Sequence, residues 1–239
     1  MPRVRDPRPA LPPSALLRLI WLASPALPVG GFSYSEGLEA AVEHGRVVGE
    51  AAARQWLLDQ MQLQQARGEW PLVASAARAW ARGDLTAVAD ANRWVTTTRE
   101  TSELRQQTEQ MGRSLADWLR QRWPDDPRPA QLAALTPAPN WPTALGLALT
   151  LSGAPLREAL MAVGFGWAEN MVQAAVKAVP LGQAGGQRLL DALVDALPAA
   201  VDEALDRARH GEAQRINFSP MLAVLSARHE AQYSRLFRS

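Results

Sequence analysis

Leu156, Leu160, Val163, Trp167, Met171, Ala175 and Ala178 follow one another at intervals of three or four residues. An α-helix turns once in about 3.6 residues, so this spacing gathers all of them on one face, whereas a strand would scatter them over two. Glu169, Gln173 and Lys177 form a polar stripe along the same stretch, which opens at Ala154 with Pro155 in its first turn. From Glu50 to Trp123 nearly every residue is a good helix former, and the interruptions fall at "RGEWP" (67–71) and "RGD" (82–84). That pattern predicts a series of antiparallel helices. Asp84 is placed to cap one that runs through Thr98, Glu100 to Trp123 forms a longer one, and the Pro-rich stretch 124–142 is expected to be an exposed connection. A short helix near Thr143–Leu151 precedes the long stripe. Gly182, Gly185 and Gly186 are expected to end the stripe, Pro198 to kink or break the following helix, and Ser219 to cap a last one. Alternating β-branched and aromatic runs are missing, and "VTTT" (95–98) is too short to seed a sheet. The expected fold is all-α: a single-domain bundle of roughly eight to ten helices over residues 14–239, behind a flexible amino-terminal segment over 1–13.

A chain of 239 residues can hold a sizeable core. Its charges nearly cancel, to +1, so no global field points to nucleic acid or an anionic membrane. The absence of cysteine removes disulfides, thiolate ligands and thiol nucleophiles, and the cytoplasm is the expected compartment. Arg3, Arg5 and Arg8 before "ALLRLIWLASPA" imitate a signal peptide. Arg18 breaks the apolar run, however, and "LLRLIWLA" reads as an amphipathic helix with Leu16, Leu19, Ile20 and Ala23 on one face. No stretch reaches the roughly 18 apolar residues of a spanning helix.

Four motifs invite chemistry. "GFSYS" (31–35) approximates a nucleophile elbow around Ser33, with His44 as its conceivable base, but the two prolines of "SPALPVGG" exclude the central strand an elbow requires. Ser33 and Glu36 are better read as an S-x-x-E capping box. "HEAQY" (229–233) starts like a zinc-binding H-E-x-x-H but has Tyr233 in place of the second histidine, which leaves His229 and Glu230 as a surface pair and no metal cage. "GFGWAE" (164–169) lies in helical periodicity without a preceding strand, so close helix packing is favoured over phosphate binding. Lys177 is the single lysine beside 24 arginines, and a compact ammonium at that position suits contact with a carboxylate or phosphate as well as simple snorkelling.

Three separated segments carry a family resemblance: "LASPALPVGGFSYSEGLEAAVEHG" (22–45), "GWAENMVQAAVKAVPLGQ" (166–183) and "ARHEAQYSRLFRS" (227–239). In order and spacing the chain, from about Leu16 to Ser239, resembles the UreF family of urease accessory proteins. The resemblance implies an all-helical, non-enzymatic chaperone that dimerises, joins UreD (also called UreH) and the GTPase UreG, and acts with them on apo-urease. It would hold no cofactor tightly, with nickel passing through the complex as cargo, and would bind neither nucleic acid nor membrane. Carried over by position, Tyr34, Tyr233, Arg235, Leu236, Phe237 and Arg238 are expected on the UreD side. Glu169, Gln173, Lys177, Pro180, Gly182 and Gln183 are expected on the UreG side. Regulation of the GTPase, by gating it or by stimulating hydrolysis, is the expected role; gating is preferred, since the sequence singles out no arginine as a finger.

Overall fold

A computed structural model describes residues 11–210 and 219–238. Within them the chain is helical with no strand: α1 (Pro13–Ala23), a 3₁₀ turn (Gly31–Ser33), α2 (Leu38–Glu43), α3 (Gly49–Gln60), a π-helical segment (Met61–Glu69), α4 (Trp70–Arg82), α5 (Leu85–Thr98), α6 (Ser102–Arg122), α7 (Pro127–Ala133), α8 (Trp141–Ser152), α9 (Leu156–Ala178), α10 (Gln183–Arg207) and α11 (Pro220–Glu230). Since α3, the π-segment and α4 run on without a break, the described residues form ten helical rods, and the all-α bundle holds. The expected flexible segment falls outside the described residues over 1–10, and Pro13 already opens α1.

The middle of the bundle is α8. Its residues from Pro142 to Leu149 are all buried, as befits a helix apolar on every side, and it packs on α4 and α6. Glycines allow that approach. A Cβ on Gly112 of α6 would lie 2.3 Å from the Pro139 carbonyl oxygen, and one on Gly146 of α8 would lie 2.7 Å from the Ala76 Cβ. Around this core, α9 packs against α10 and α1, and its stripe through Leu160, Val163, Met171 and Ala175 is buried as the spacing predicts. A cap forms as expected at Asp84, whose carboxylate accepts the Ala87 amide at 3.0 Å, and others at Thr101 and Asn140, whereas Ser219 precedes α11 without a side-chain cap.

Several local expectations are corrected. "RGEWP" does not break the chain: its residues continue the rod as a π-helix whose wider turn ends directly before Trp70–Pro71, so that Pro71, with no N–H to give, sits where the hydrogen-bond register changes. Gly185 and Gly186 lie inside α10, where a Cβ on Gly186 would come within 2.8 Å of Val176, so they serve helix contact and not termination. Pro198 also lies inside α10, which continues because Leu193, Leu197, Val201 and Ala204 remain buried on either side of it. The stretch 124–142 contains α7 and a buried Asn140 whose backbone amide and Nδ2 donate to the Asn92 side-chain and backbone oxygens at 3.0 and 2.8 Å. On α1 the buried residues are Ala15, Leu19 and Leu22, while Leu16 (46% exposed) and Ile20 (57%) face out. That helix is apolar nearly all round, so its own periodicity cannot choose the face; close contact between Ala23 and Gly166 of α9 does.

Candidate functional site

The segment "VGGFSYSEG" makes a sequence of tight turns between α1 and α2. Gly30 (φ 72°) and Gly37 (φ 79°) take left-handed backbone conformations, and Glu36 does so as well at φ 50°, the one non-glycine residue among the described residues with positive φ. Such a conformation costs a side-chain-bearing residue about 1–2 kcal/mol, so surrounding contacts must hold it. Three do. The Glu36 carboxylate accepts hydrogen bonds from Trp167 Nε1 at 3.0 Å, Gln65 Nε2 at 3.4 Å and Gln107 Nε2 at 3.5 Å. The Ser33–Glu36 capping box is therefore corrected: Glu36 turns away from the helix, α2 begins after Gly37, and its first-turn amide at Glu39 is received by Ser35 Oγ at 3.2 Å. The Ser33 carbonyl accepts the Arg238 amide at 2.8 Å, and no strand leads to Ser33, so the elbow reading has no support.

Glu36 stands in a cavity of about 400 Å³ between α1, the π-segment, α6 and α9. Leu27, Val29, Met111 and Leu145 supply apolar wall, and Trp70 meets Trp167 edge to face at 6.3 Å between ring centroids. Glu69, ion-paired with Arg99, faces the same space. Part of Glu36 remains open to the cavity, yet burial is the main cause that pushes its carboxyl above the ordinary range; the Trp167 hydrogen bond opposes it and the neighbouring Glu69 charge adds to it. The π-segment matters here, because its wider turn sets Gln64, Gln65 and Glu69 on the cavity side while Arg67 bonds Glu203 of α10 at 3.1 Å.

At the cavity mouth lie Phe32, Glu169, Asn170, Gln173 and Lys177. Asn170 Nδ2 donates to the Gly31 carbonyl at 3.1 Å and fixes the glycine turn against α9. Lys177 is exposed, and its ammonium sits 5.8 Å from the ring centroid of Phe237, a cation–π contact that joins α9 to the carboxy-terminal tail. The tail follows α11 without helical structure. Phe237 is buried, Arg238 Nη1 donates to Gln110 Oε1 at 3.2 Å, and Tyr34 Oη donates to the same oxygen at 2.9 Å.

The structure thus brings together residues that the resemblance assigns to two partners. Lys177, Gln173 and Glu169 share one surface with the tail and the glycine turn, and Pro180, Gly182 and Gln183 extend it across the exposed α9–α10 connection. Within the turn, Tyr34 is a buried residue, 3% exposed, and Phe32 is the aromatic that faces out, at 61%. In the tail Tyr233, Arg235, Leu236 and Arg238 are exposed. His229 and Glu230 are not a surface pair: His229 is buried between Glu103 and Glu39, while Glu230 caps the start of α6 through Ser102 Oγ and the Glu103 amide. The spacing Leu222, Leu225, Ser226, His229 could have placed His229 on the buried face of its helix; nothing in the local sequence marks Glu39 or Glu103 as its partners. Among the described residues no His, Asp and Glu cluster has the arrangement to hold a metal ion, and no helix is long and apolar enough to cross a membrane.

The family model described as UreF matches residues 47–194. The urease accessory protein UreF of Methylibium petroleiphilum is 63% identical over the whole of both chains. That of Paracidovorax citrulli is 60% identical over 96% of this chain and 91% of its own. The bifunctional urease accessory protein UreEF of Bordetella bronchiseptica is 46% identical over 97% of this chain, which spans 53% of that longer protein. Family match and full-length identity together establish that the chain belongs to the UreF family of urease accessory proteins.

Proposed function

We propose that this chain is a non-catalytic helical scaffold that binds UreD and UreG, dimerises within their complex, and promotes GTP-dependent insertion of nickel into apo-urease in the cytoplasm. The observation that carries the reading is the continuous surface formed by the glycine turn, the tail and the polar stripe of α9, tied together at Lys177 and Phe237. An exposed aromatic and an aliphatic on an ordered tail beside an ammonium-bearing helix face provide what a protein interface needs: apolar anchors within a polar rim. The turn and tail, through Phe32, Tyr233 and Leu236, face UreD. Glu169, Gln173, Lys177, Pro180, Gly182 and Gln183 face UreG, and Tyr34 supports the first surface from beneath through Gln110. Gating is the preferred mode of regulation, because one body that contacts both partners couples occupancy of one site to affinity at the other. Nickel is cargo, delivered to urease without residence in a dedicated site of this chain. Fusion of UreE and UreF in the Bordetella relative supports a role beside other accessory proteins.

The test is co-purification of the chain with tagged UreD, followed by UreG with magnesium and either GDP or a GTP analogue, with mass read by light scattering. A stoichiometric complex that recruits UreG according to nucleotide is expected. A folded chain that ignores UreD refutes the scaffold.

A further inference from the structure

Beneath the glycine turn, the cavity between α1, the π-segment, α6 and α9 contains groups that the partner surface does not use. Glu36 is held there at a positive φ, and since α2 is entered from Gly37 its carboxylate caps no helix. Of the bonds it accepts only that from Trp167 Nε1, at 3.0 Å, is short; those from Gln65 and Gln107, at 3.4 and 3.5 Å, lie at the outer limit of a hydrogen bond. A carboxylate has about four lone-pair sites, so Glu36 keeps acceptor capacity toward the cavity. Among the described residues no cation lies within ion-pair distance of Glu36, nor of Glu169 at the mouth, whereas Glu69 is paired with Arg99 and Lys177 sits by the Phe237 ring. Three carboxylates thus face this space against two cations, which favours a positively charged guest.

We propose that this cavity is a binding site for a small organic cation, an amine or quaternary ammonium with an apolar body, whose charge pairs with Glu36 and whose body lies among Leu27, Val29, Met111 and the Trp70–Trp167 pair. Its volume of about 400 Å³ falls in the range of small-molecule pockets, and apolar walls with a few placed polar groups are their usual lining. The two indoles stand at 89° to each other, so the pair offers both a ring edge and a ring face, and a ring face attracts a cation. Two further features mark the place as built: the strained backbone of Glu36, and a π-helical segment, a form concentrated at functional sites, which sets Gln64 and Gln65 on the wall. A bare metal ion suits the cavity less, because among the described residues no three His, Cys, Asp or Glu side chains converge to hold one. A neutral apolar guest would bury Glu36 without a counter-charge, which is costly. The site belongs to this chain alone and does not depend on UreD or UreG.

Isothermal titration calorimetry on the full-length chain near neutral pH tests it with three probes: benzylammonium, the neutral benzyl alcohol of similar shape, and nickel(II) chloride. The wild type is expected to take up one benzylammonium per chain and to bind it about tenfold or more tightly than the alcohol, the margin of a charge-assisted hydrogen bond. Glu36→Gln, which keeps the side-chain volume, is expected to abolish that preference while its thermal unfolding midpoint stays close to that of the wild type. The comparison of the two organic probes on the wild type requires no variant and decides the matter should Glu36→Gln fail to fold. Equal affinity for benzylammonium and benzyl alcohol, or no uptake of either in the millimolar range, overturns the proposal. A preference that survives in folded Glu36→Gln overturns Glu36 as the recognising group. Nickel uptake that is lost in Glu36→Gln, with no uptake of benzylammonium by the wild type, makes the cavity a metal site and overturns the organic cation.

Discussion

Replacement of Glu36 by glutamine isolates the cost of an acid at the cavity. The amide keeps the volume and the same left-handed backbone, φ 50° in the native chain, so strain is common to both proteins and cancels. What differs is a proton. Burial first, and the Glu69 charge in addition, hold the folded Glu36 carboxyl above its ordinary 4.5, while the unfolded chain releases that proton near 4.5. Between those two points the folded state carries more protons than the unfolded one, so native stability falls as pH rises, and above the folded value the deficit is complete. One group titrating alone gives at most about 1.4 kcal/mol per pH unit, and the opening of the cavity to solvent makes the real slope shallower. Glu36→Gln removes the contribution: it is expected to match the wild type most closely below pH 4.5 and to gain on it progressively as pH rises. Trp167 can still donate to the amide oxygen, and Gln65 and Gln107 can turn an amide oxygen toward the new NH₂ group. Urea unfolding of both proteins at close pH intervals from about 4 to 8 measures the difference directly. A difference that stays constant over that range refutes the assignment of a raised carboxyl to Glu36.

Other outcomes follow from the same geometry. Lys177→Ala removes the ammonium over Phe237 on an exposed helix face, so folding is expected to survive and urease activation to fall; normal activation at matched expression removes Lys177 from the partner surface. Gly112→Ala places a Cβ against the backbone of Pro139 and Asn140, which cannot rotate aside, and a loss of about 1–3 kcal/mol or more is expected in thermal unfolding. Asn92→Ala deletes donors to the Pro137 and Ala138 carbonyls and the acceptor for the buried Asn140 amide, at an expected cost of about 2–4 kcal/mol in chemical denaturation.

Much of the fold is legible in the chain because helices declare themselves locally. The three-and-four spacing of Leu160, Val163, Met171 and Ala175, the cap at Asp84 and the want of alternating runs require only neighbours along the sequence to be interpreted. Local rules fail where a distant surface decides. Gly185 and Gly186 are breakers by propensity, yet Glu50 of α3 comes so close to the first and α9 to the second that they become contact residues. On α1 an excess of apolar residues leaves the buried face open until α9 arrives. "SYSE" matches a capping box, but the three donors offered to Glu36 by residues 65, 107 and 167 outweigh a cap.

The candidate surface divides along the same line. Its parts stand in the sequence as three motifs, and their residue types already suggest docking over catalysis. Their union does not, because Lys177 meets Phe237 and Glu39 meets residues 229, 236 and 237 only once α2, α9 and α11 have packed. The sequence alone determined that the chain is helical, where most helices begin, and which segments bear the family pattern, since those depend on short-range periodicity and capping. Tertiary structure decided that a histidine read as a surface residue is buried between two carboxylates, because the residues that enclose it lie 190 and 126 positions away.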